Sequence, residues 1–228
     1  MIKAIIFDLD DTLYREYDYV LSGFRTVADF LMNKYGIEKA YEKLLKLFSL
    51  DKNNVYDRLL KDENIVFSDD DISDIAAVYR NHYPRISLPP DIVSTLKILR
   101  HGKYKIGLIT DGRSIQQAQK IKALQLHEYM DEIIVTDALG GVGYRKPNPA
   151  SFILMAQRLN IDISNLLYIG DNPRKDFAVK QYIPITTVRF MSNGFYAKED
   201  YLDNVEPDYI IDNIASIFDI LKLLDYSV

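Results

Sequence analysis

Short runs of consecutive aliphatic residues recur along the chain, separated by longer stretches in which apolar residues return every third or fourth position. Ile2 to Phe7, Ile106 to Ile109, Ile133 to Val135 and Leu166 to Ile169 are runs of the first kind. Aliphatic runs without polar alternation suit strands covered on both faces, as in a parallel sheet flanked by helices. Ile185 to Phe190 and Tyr209 to Ile211 read as later, more peripheral strands. Between the runs, Ile92, Leu96 and Leu99 share one helical face, and Ile115, Ala118 and Ile121 share another. Ile214, Ile217, Phe218, Leu221 and Leu224 form a third stripe at helical spacing. Asn148-Pro149 and Asn172-Pro173 each read as an N-cap followed by proline at the first helical position. Strand followed by helix, repeated, predicts an α/β fold with a doubly wound, Rossmann-like parallel sheet.

One region breaks the alternation. From Tyr14 to Pro90 only helical patterns occur, with Val20, Phe24, Val27 and Leu31 on one face, Leu44, Leu47 and Phe48 on another, and Ile72, Ile75, Val78 and Tyr79 on a third. The chain is therefore expected to divide into an α/β core of residues 1–13 and 91–228 and a small inserted helical cap of residues 14–90. Loops at the carboxyl ends of strands surround the ligand crevice of open α/β sheets, so an insert after the first strand is expected to act as a lid.

Composition narrows the chemistry. The 228 residues are 48% hydrophobic and 27% charged, the balance of a folded globular chain. A net charge of -5 argues against broad nucleic-acid binding. Cysteine is absent, which excludes disulfides, thiolate-ligated metals and thiol catalysis, and the three histidines are scattered. No apolar run approaches the length of a membrane span or a signal peptide, so no membrane partner and a cytoplasmic location are expected.

The polar residues at the strand ends carry the argument further. The first strand runs into Asp8-Leu9-Asp10-Asp11-Thr12, the second into Thr110-Asp111-Gly112, and the fourth into Gly170-Asp171-Asn172. The third leads through Asp137 and the Gly140 to Gly143 loop to Arg145-Lys146-Pro147. In a parallel sheet these ends point the same way, so Asp8, Asp10, Thr110, Lys146 and Asp171 are expected to converge on one pocket. The glycine loop is not a dinucleotide fingerprint, because no helix opens directly after it.

In this respect the chain resembles the haloacid dehalogenase-like superfamily, and within it the phosphatases with a helical cap. Asp8-Leu9-Asp10-Asp11-Thr12 matches the first motif of that family, Thr110 the second, Lys146 the third, and Gly170-Asp171 through Asp176 the fourth. The resemblance implies a Mg²⁺-dependent phosphatase acting on a small phosphorylated metabolite through an aspartyl-phosphate. Asp8, Asp10, Thr110 and Lys146 are then catalytic, with Thr110, Asp111 and Lys146 on the phosphate. Asp8, Asp171, Asp176 and the main-chain carbonyl of Asp10 are implied metal ligands. The chemistry is coherent: a phosphate monoester is a dianion, and a hard divalent cation on carboxylate oxygens offsets its repulsion of an anionic nucleophile. Asp8 serves as nucleophile, and Asp10, two positions on, faces the same side and exchanges protons with leaving group and water.

Several residues have competing uses. Asp11 and Thr12 are expected to shape the turn. Asp176 has two roles open to it, metal support or stabilisation of a helix N-terminus. Tyr14, Arg15 and Tyr17 either touch a leaving group or pack at the base of the insert. His82, His101 and His127 are assigned no role. Phe177-Ala178-Val179-Lys180 stands where relatives carry a glycine–alanine pair, which changes local helix packing. A phosphomutase and a non-catalytic phosphate-binding regulatory module are the alternatives, the latter disfavoured by the retention of both Asp8 and Asp10.

Overall fold

The computed structural model describes residues 1–102 and 104–226. Six strands form one sheet: β1 (Ala4–Phe7), β2 (Lys105–Thr110), β3 (Glu132–Val135), β4 (Leu166–Gly170), β5 (Thr186–Phe190) and β6 (Tyr209–Ile211). Their order is β3-β2-β1-β4-β5-β6, and every neighbouring pair is parallel. Each aliphatic run is thus a strand. The order reverses beside β1, the topological switch point where open α/β sheets bind ligands. Register brings the strand ends level: Phe7 lies opposite Leu108 on one side and Ile169 on the other.

The central strands are buried along their length because helices cover the sheet. Helices α5 (Pro90–His101), α6 (Ser114–Ala123), α7 (Ala150–Leu159) and α8 (Ile217–Tyr226) belong to this part of the chain. Ile6, Ile109, Ile134, Phe152, Met155 and Tyr168 meet in one core cluster. Full burial of one such side chain contributes about 1.5–3 kcal/mol. Gly107 leaves room for this packing, since a Cβ there would lie 2.7 Å from the Met155 sulfur and 2.8 Å from Ile6 Cδ1 and would make those side-chain ends shift.

Three local readings are corrected. On α6, Ile115 is 67% exposed and Ala118 is exposed, and the inward face is Gln117, Lys120 and Ile121. Helix α7 opens at Ala150 with Pro149 as the capping position, although the Asn148 side chain does accept a hydrogen bond from the Ala150 amide at 2.9 Å. No α-helix follows Asn172-Pro173. The Asn172 side chain accepts from the Arg174 amide and its carbonyl from Asp176 N, closing a tight turn, and only a 3₁₀ turn at Ala178–Gln181 follows. The cause is the burial of Asp176, Phe177, Ala178 and Val179 in succession, a pattern with no helical face.

Two compact units can be distinguished, Met1–Glu16 with the chain from Ser87 onward, and Tyr17–Ile86. Tyr14, read from sequence as part of the insert, belongs to the α/β unit, where its hydroxyl donates to Asp10. The second unit holds α1 (Glu16–Tyr35) from its second residue, α2 (Ala40–Leu50), α3 (Val55–Asp62) and α4 (Asp69–Asn81). Val20, Phe24, Val27 and Leu31 of α1 are buried as their spacing predicts, with Leu44, Leu59 and Ile75. Phe24 stacks edge-on against Phe48, their ring centres 5.5 Å apart. Ser68 and Asp71 form a reciprocal capping box at the start of α4. His82 is a packing residue here, its Nδ1 2.6 Å from the Tyr79 carbonyl and its ring against Tyr19.

Candidate active site

Asp8 leaves the end of β1 almost wholly buried, its amide bonded to the Ile169 carbonyl of β4 at 2.8 Å. The Lys146 ammonium reaches it across the sheet end, 2.6 Å from Asp8 Oδ1 and 2.8 Å from Asp176 Oδ1. Lys146 also donates to the Tyr168 hydroxyl at 2.6 Å, and that hydroxyl donates to Asp176 Oδ1 at 2.9 Å. A lysine with no exposed side-chain surface is tolerable only with partners of this kind. Burial works against its charge, yet Asp176 and Asp8 hold the Lys146 pKa above its ordinary value. Asp176 is fixed from a further direction by the Asn172 amide at 2.9 Å. Gly170 makes room for it: a Cβ there would sit 2.5 Å from Asp176 Oδ2. With no α-helix at this point, helix stabilisation is not the role of Asp176.

Carboxylate oxygens of Asp8, Asp171 and Asp176 all lie within 4.8 Å of one another. Burial, then the charges of Asp176 and Asp8, push the Asp171 pKa up to about 9. Burial also raises Asp8, to about 6, with Lys146 and Lys175 opposing. Asp171 Oδ2 is buried without a hydrogen-bond partner. An oxygen-only cluster with a buried, unpartnered carboxylate oxygen fits a hard divalent cation such as Mg²⁺.

The Asp10 carboxylate lies outside that cluster. Its Oδ1 accepts from Tyr14 Oη at 2.5 Å and Lys120 Nζ at 2.7 Å, and its Oδ2 from Gln117 Nε2 at 3.0 Å. Although burial opposes it, Lys120 and these hydrogen bonds hold the Asp10 pKa below the usual carboxylate value. The Asp10 side chain is thus held apart from the carboxylate cluster, and the resemblance assigns only its main-chain carbonyl to a metal. Thr110, at the end of β2, is buried, and its Oγ1 accepts from Gln117 Nε2 at 2.6 Å. The Asp111 side chain is engaged within the protein. Its Oδ1 accepts from Thr136 Oγ1 at 2.8 Å and from the Lys146 amide at 3.1 Å, so it secures the lysine loop, and its charge would repel a phosphate. Asp11, at φ 55, binds the Glu16 and Phe195 amides and organises the turn.

Asp8, Asp10, Lys146 and Asp171 line a cavity of about 360 Å³ in the α/β unit, and Thr110 and Asp176 lie behind its lining. Beyond the motif residues it is lined by Glu16, Arg145, Lys175 and Tyr196. Arg145 is held by a two-pronged pair with Asp137, both contacts at 2.7 Å. Lys175 Nζ lies 3.4 Å from Asp111 Oδ2. Burial, then the nearby charge of Asp10, lifts Glu16 to about 7. Sequence reasoning missed Gln117, Lys120, Lys175 and Tyr168. Gln117 and Lys120, three apart on a helix opening just after Thr110, were the available signal, and the apolar stripe through Ile115 obscured it.

Fold and site together define a hydrolase, and the comparisons agree. The family model for haloacid dehalogenase-like hydrolases matches residues 5–188, and the chain belongs to that family. It is 28% identical over 236 residues to the glyceraldehyde 3-phosphate phosphatase of Methanopyrus kandleri, spanning 98% of this chain and 99% of that one. It is 23% identical to the phosphoglycolate phosphatase of Neisseria meningitidis, over 97% of this chain and 94% of that one. A solved phosphatase of the same family from Thermococcus onnurineus superposes with a TM-score of 0.62 at 26% identity, covering 96% of this chain and 98% of its own. These three relatives are all named phosphatases. Among the described residues, no helix is long and apolar enough to cross a membrane.

Proposed function

We propose that the chain is a Mg²⁺-dependent phosphatase that hydrolyses a small phosphorylated metabolite through an aspartyl-phosphate on Asp8. The observation that carries this reading is the buried cluster of Asp8, Asp171 and Asp176 with Lys146 bridging two of them, beside a separately held Asp10. Mg²⁺ held by Asp8, Asp171, Asp176 and the Asp10 carbonyl would offset the charge of the phosphoryl group.

Asp8 is largely ionised at neutral pH with its pKa near 6, and burial strips it of the water that would blunt its attack on phosphorus. Lys146 lowers the repulsion between two anions as they approach. The anionic ester beside Asp10 favours its protonated form, and as the ester bond breaks Asp10 gives that proton to the leaving oxygen. Asp10 then takes a proton from the water that attacks the aspartyl-phosphate, and inorganic phosphate departs with Asp8 restored. Thr110 and the rim cations Arg145 and Lys175 are suited to hold phosphoryl oxygens. The similarity to glyceraldehyde 3-phosphate and phosphoglycolate phosphatases supports short phosphorylated substrates of two or three carbons.

Phosphate release from such esters, with and without Mg²⁺, tests the reading. Asp8→Asn should lower turnover by about a thousandfold or more while thermal unfolding stays cooperative. Undiminished turnover in Asp8→Asn, or full activity after chelation, would overturn it.

A further inference from the structure

We propose that Lys120 and Gln117 of α6 are positioning residues that fix the Asp10 carboxylate so that Oδ2 is the oxygen that carries the proton. The proposal deepens the phosphatase reading and rests on it. Oδ1 already accepts two hydrogen bonds, from Lys120 Nζ at 2.7 Å and Tyr14 Oη at 2.5 Å, which fills its two lone-pair directions. Oδ2 accepts one, from Gln117 at 3.0 Å, and so has the remaining lone pair. The same Gln117 nitrogen reaches Thr110 Oγ1 at 2.6 Å and the Asp111 carbonyl at 2.9 Å. Asp10, after β1, is thereby tied to the end of β2 through one amide group.

Both residues are nearly inaccessible, Gln117 at 2% and Lys120 at 4%. An apolar side chain would fill this part of the helix face with less desolvation, so a stability role alone does not explain a lysine here. Proton transfer, by contrast, tolerates little misplacement of the carboxylate.

The two half-reactions separate this role from a general loss of structure. In the first, an Asp8 oxygen bonds to phosphorus, the phosphorus–oxygen ester bond breaks, and an alkoxide leaving group takes the proton from Asp10 Oδ2. In the second, the water oxygen bonds to phosphorus, a water proton passes to Oδ2, and the bond to Asp8 breaks. A nitrophenolate leaves without a proton, and Asp10 either stays ionised through that step or loses its proton to solvent, so misplacing Asp10 spares the first half-reaction of an aryl ester and slows only the second.

The experiment follows nitrophenolate release from an aryl phosphate by stopped flow, beside steady-state turnover of a primary alkyl phosphate, for wild type, Lys120→Met, Lys120→Arg and Gln117→Met. Lys120→Met should release about one equivalent of nitrophenolate at close to the wild-type rate and then turn over at least about tenfold more slowly. Its alkyl-ester turnover should fall by at least that factor with no burst, and Lys120→Arg should recover most of the loss. Unchanged steady-state turnover in Lys120→Met overturns the proposal, as does an equal fall of first and later turnovers. If Lys120→Met does not fold, Gln117→Met, which keeps the Lys120 pair, is judged by the same burst. If the wild type cleaves neither ester, or Asp8→Asn cleaves both, the phosphatase reading is what has failed. Crystal structures of wild type and the folded variant then decide the positioning: a displaced Asp10 carboxylate supports it, and an unmoved one overturns it.

Discussion

Asp8, Lys146 and Asp176 show how a buried charge is made tolerable: each ionised group has an oppositely charged neighbour within 2.8 Å, and Tyr168 ties the lysine to Asp176. Glu16 is placed differently. It is half-buried at the cavity edge, and its pKa of about 7 leaves it mostly protonated below neutrality and charged above. A phosphate ester entering above pH 7 therefore meets an added negative charge. KM should rise about three- to tenfold between pH 6 and pH 9 in the wild type. The same titration of Glu16→Gln should lack that rise, and an identical rise in the variant would show that another group is responsible.

At the scale of elements, the strand ends were legible in the sequence and the helix faces less so. A run such as Ile106 to Ile109 marks a buried strand whatever its neighbours, and the polar residue that stops it is exposed to the crevice by the parallel topology. Helix α6 resisted the same reading because its inward face is polar, Gln117 and Lys120 meeting Asp10 beyond the end of β1 and Gln117 also Thr110 at the end of β2. The turn after β4 resisted it because Asp176 folds back under Gly170, a contact that no periodicity encodes. Gly170→Ala would place a methyl group against that carboxylate. Urea unfolding should register a loss of about 1–3 kcal/mol, and Mg²⁺ affinity should weaken with it. A variant as stable as wild type would mean that the turn relaxes without cost.

For the molecule as a whole, the sheet order brings β1, β2 and β4 side by side, and with them Asp8, Thr110 and Asp171. Without a cation Asp171 keeps its proton beside Asp8 and Asp176, and a cation that displaces that proton and joins the carboxylates links metal binding to stability. Mg²⁺ at about a hundred times its dissociation constant should stabilise the wild type by about 2.7 kcal/mol. Asp171→Asn should show little of that gain in thermal unfolding. Its metal-free form should melt close to the metal-free wild type at neutral pH, because Asp171 already carries a proton there with its pKa near 9. Equal Mg²⁺ stabilisation of both proteins would remove Asp171 from the metal site.

The sequence by itself determined the six strands, the doubly wound α/β class, the helical character of the insert, read over residues 14–90, and the four groups of polar residues at the strand ends. These are local properties, set by burial on two faces and by the chemistry that interrupts it. Tertiary structure alone decided which oxygen of each carboxylate is occupied, that Asp10 stands apart from the cluster of Asp8, Asp171 and Asp176, and that Asp111 serves the lysine loop. It also supplied Lys120, Gln117, Lys175 and Tyr168 to the site. The physical reason is that a side chain's charge state and hydrogen bonds depend on distances of 2.6 to 3.4 Å between segments far apart in the chain, and sequence spacing carries no measure of those.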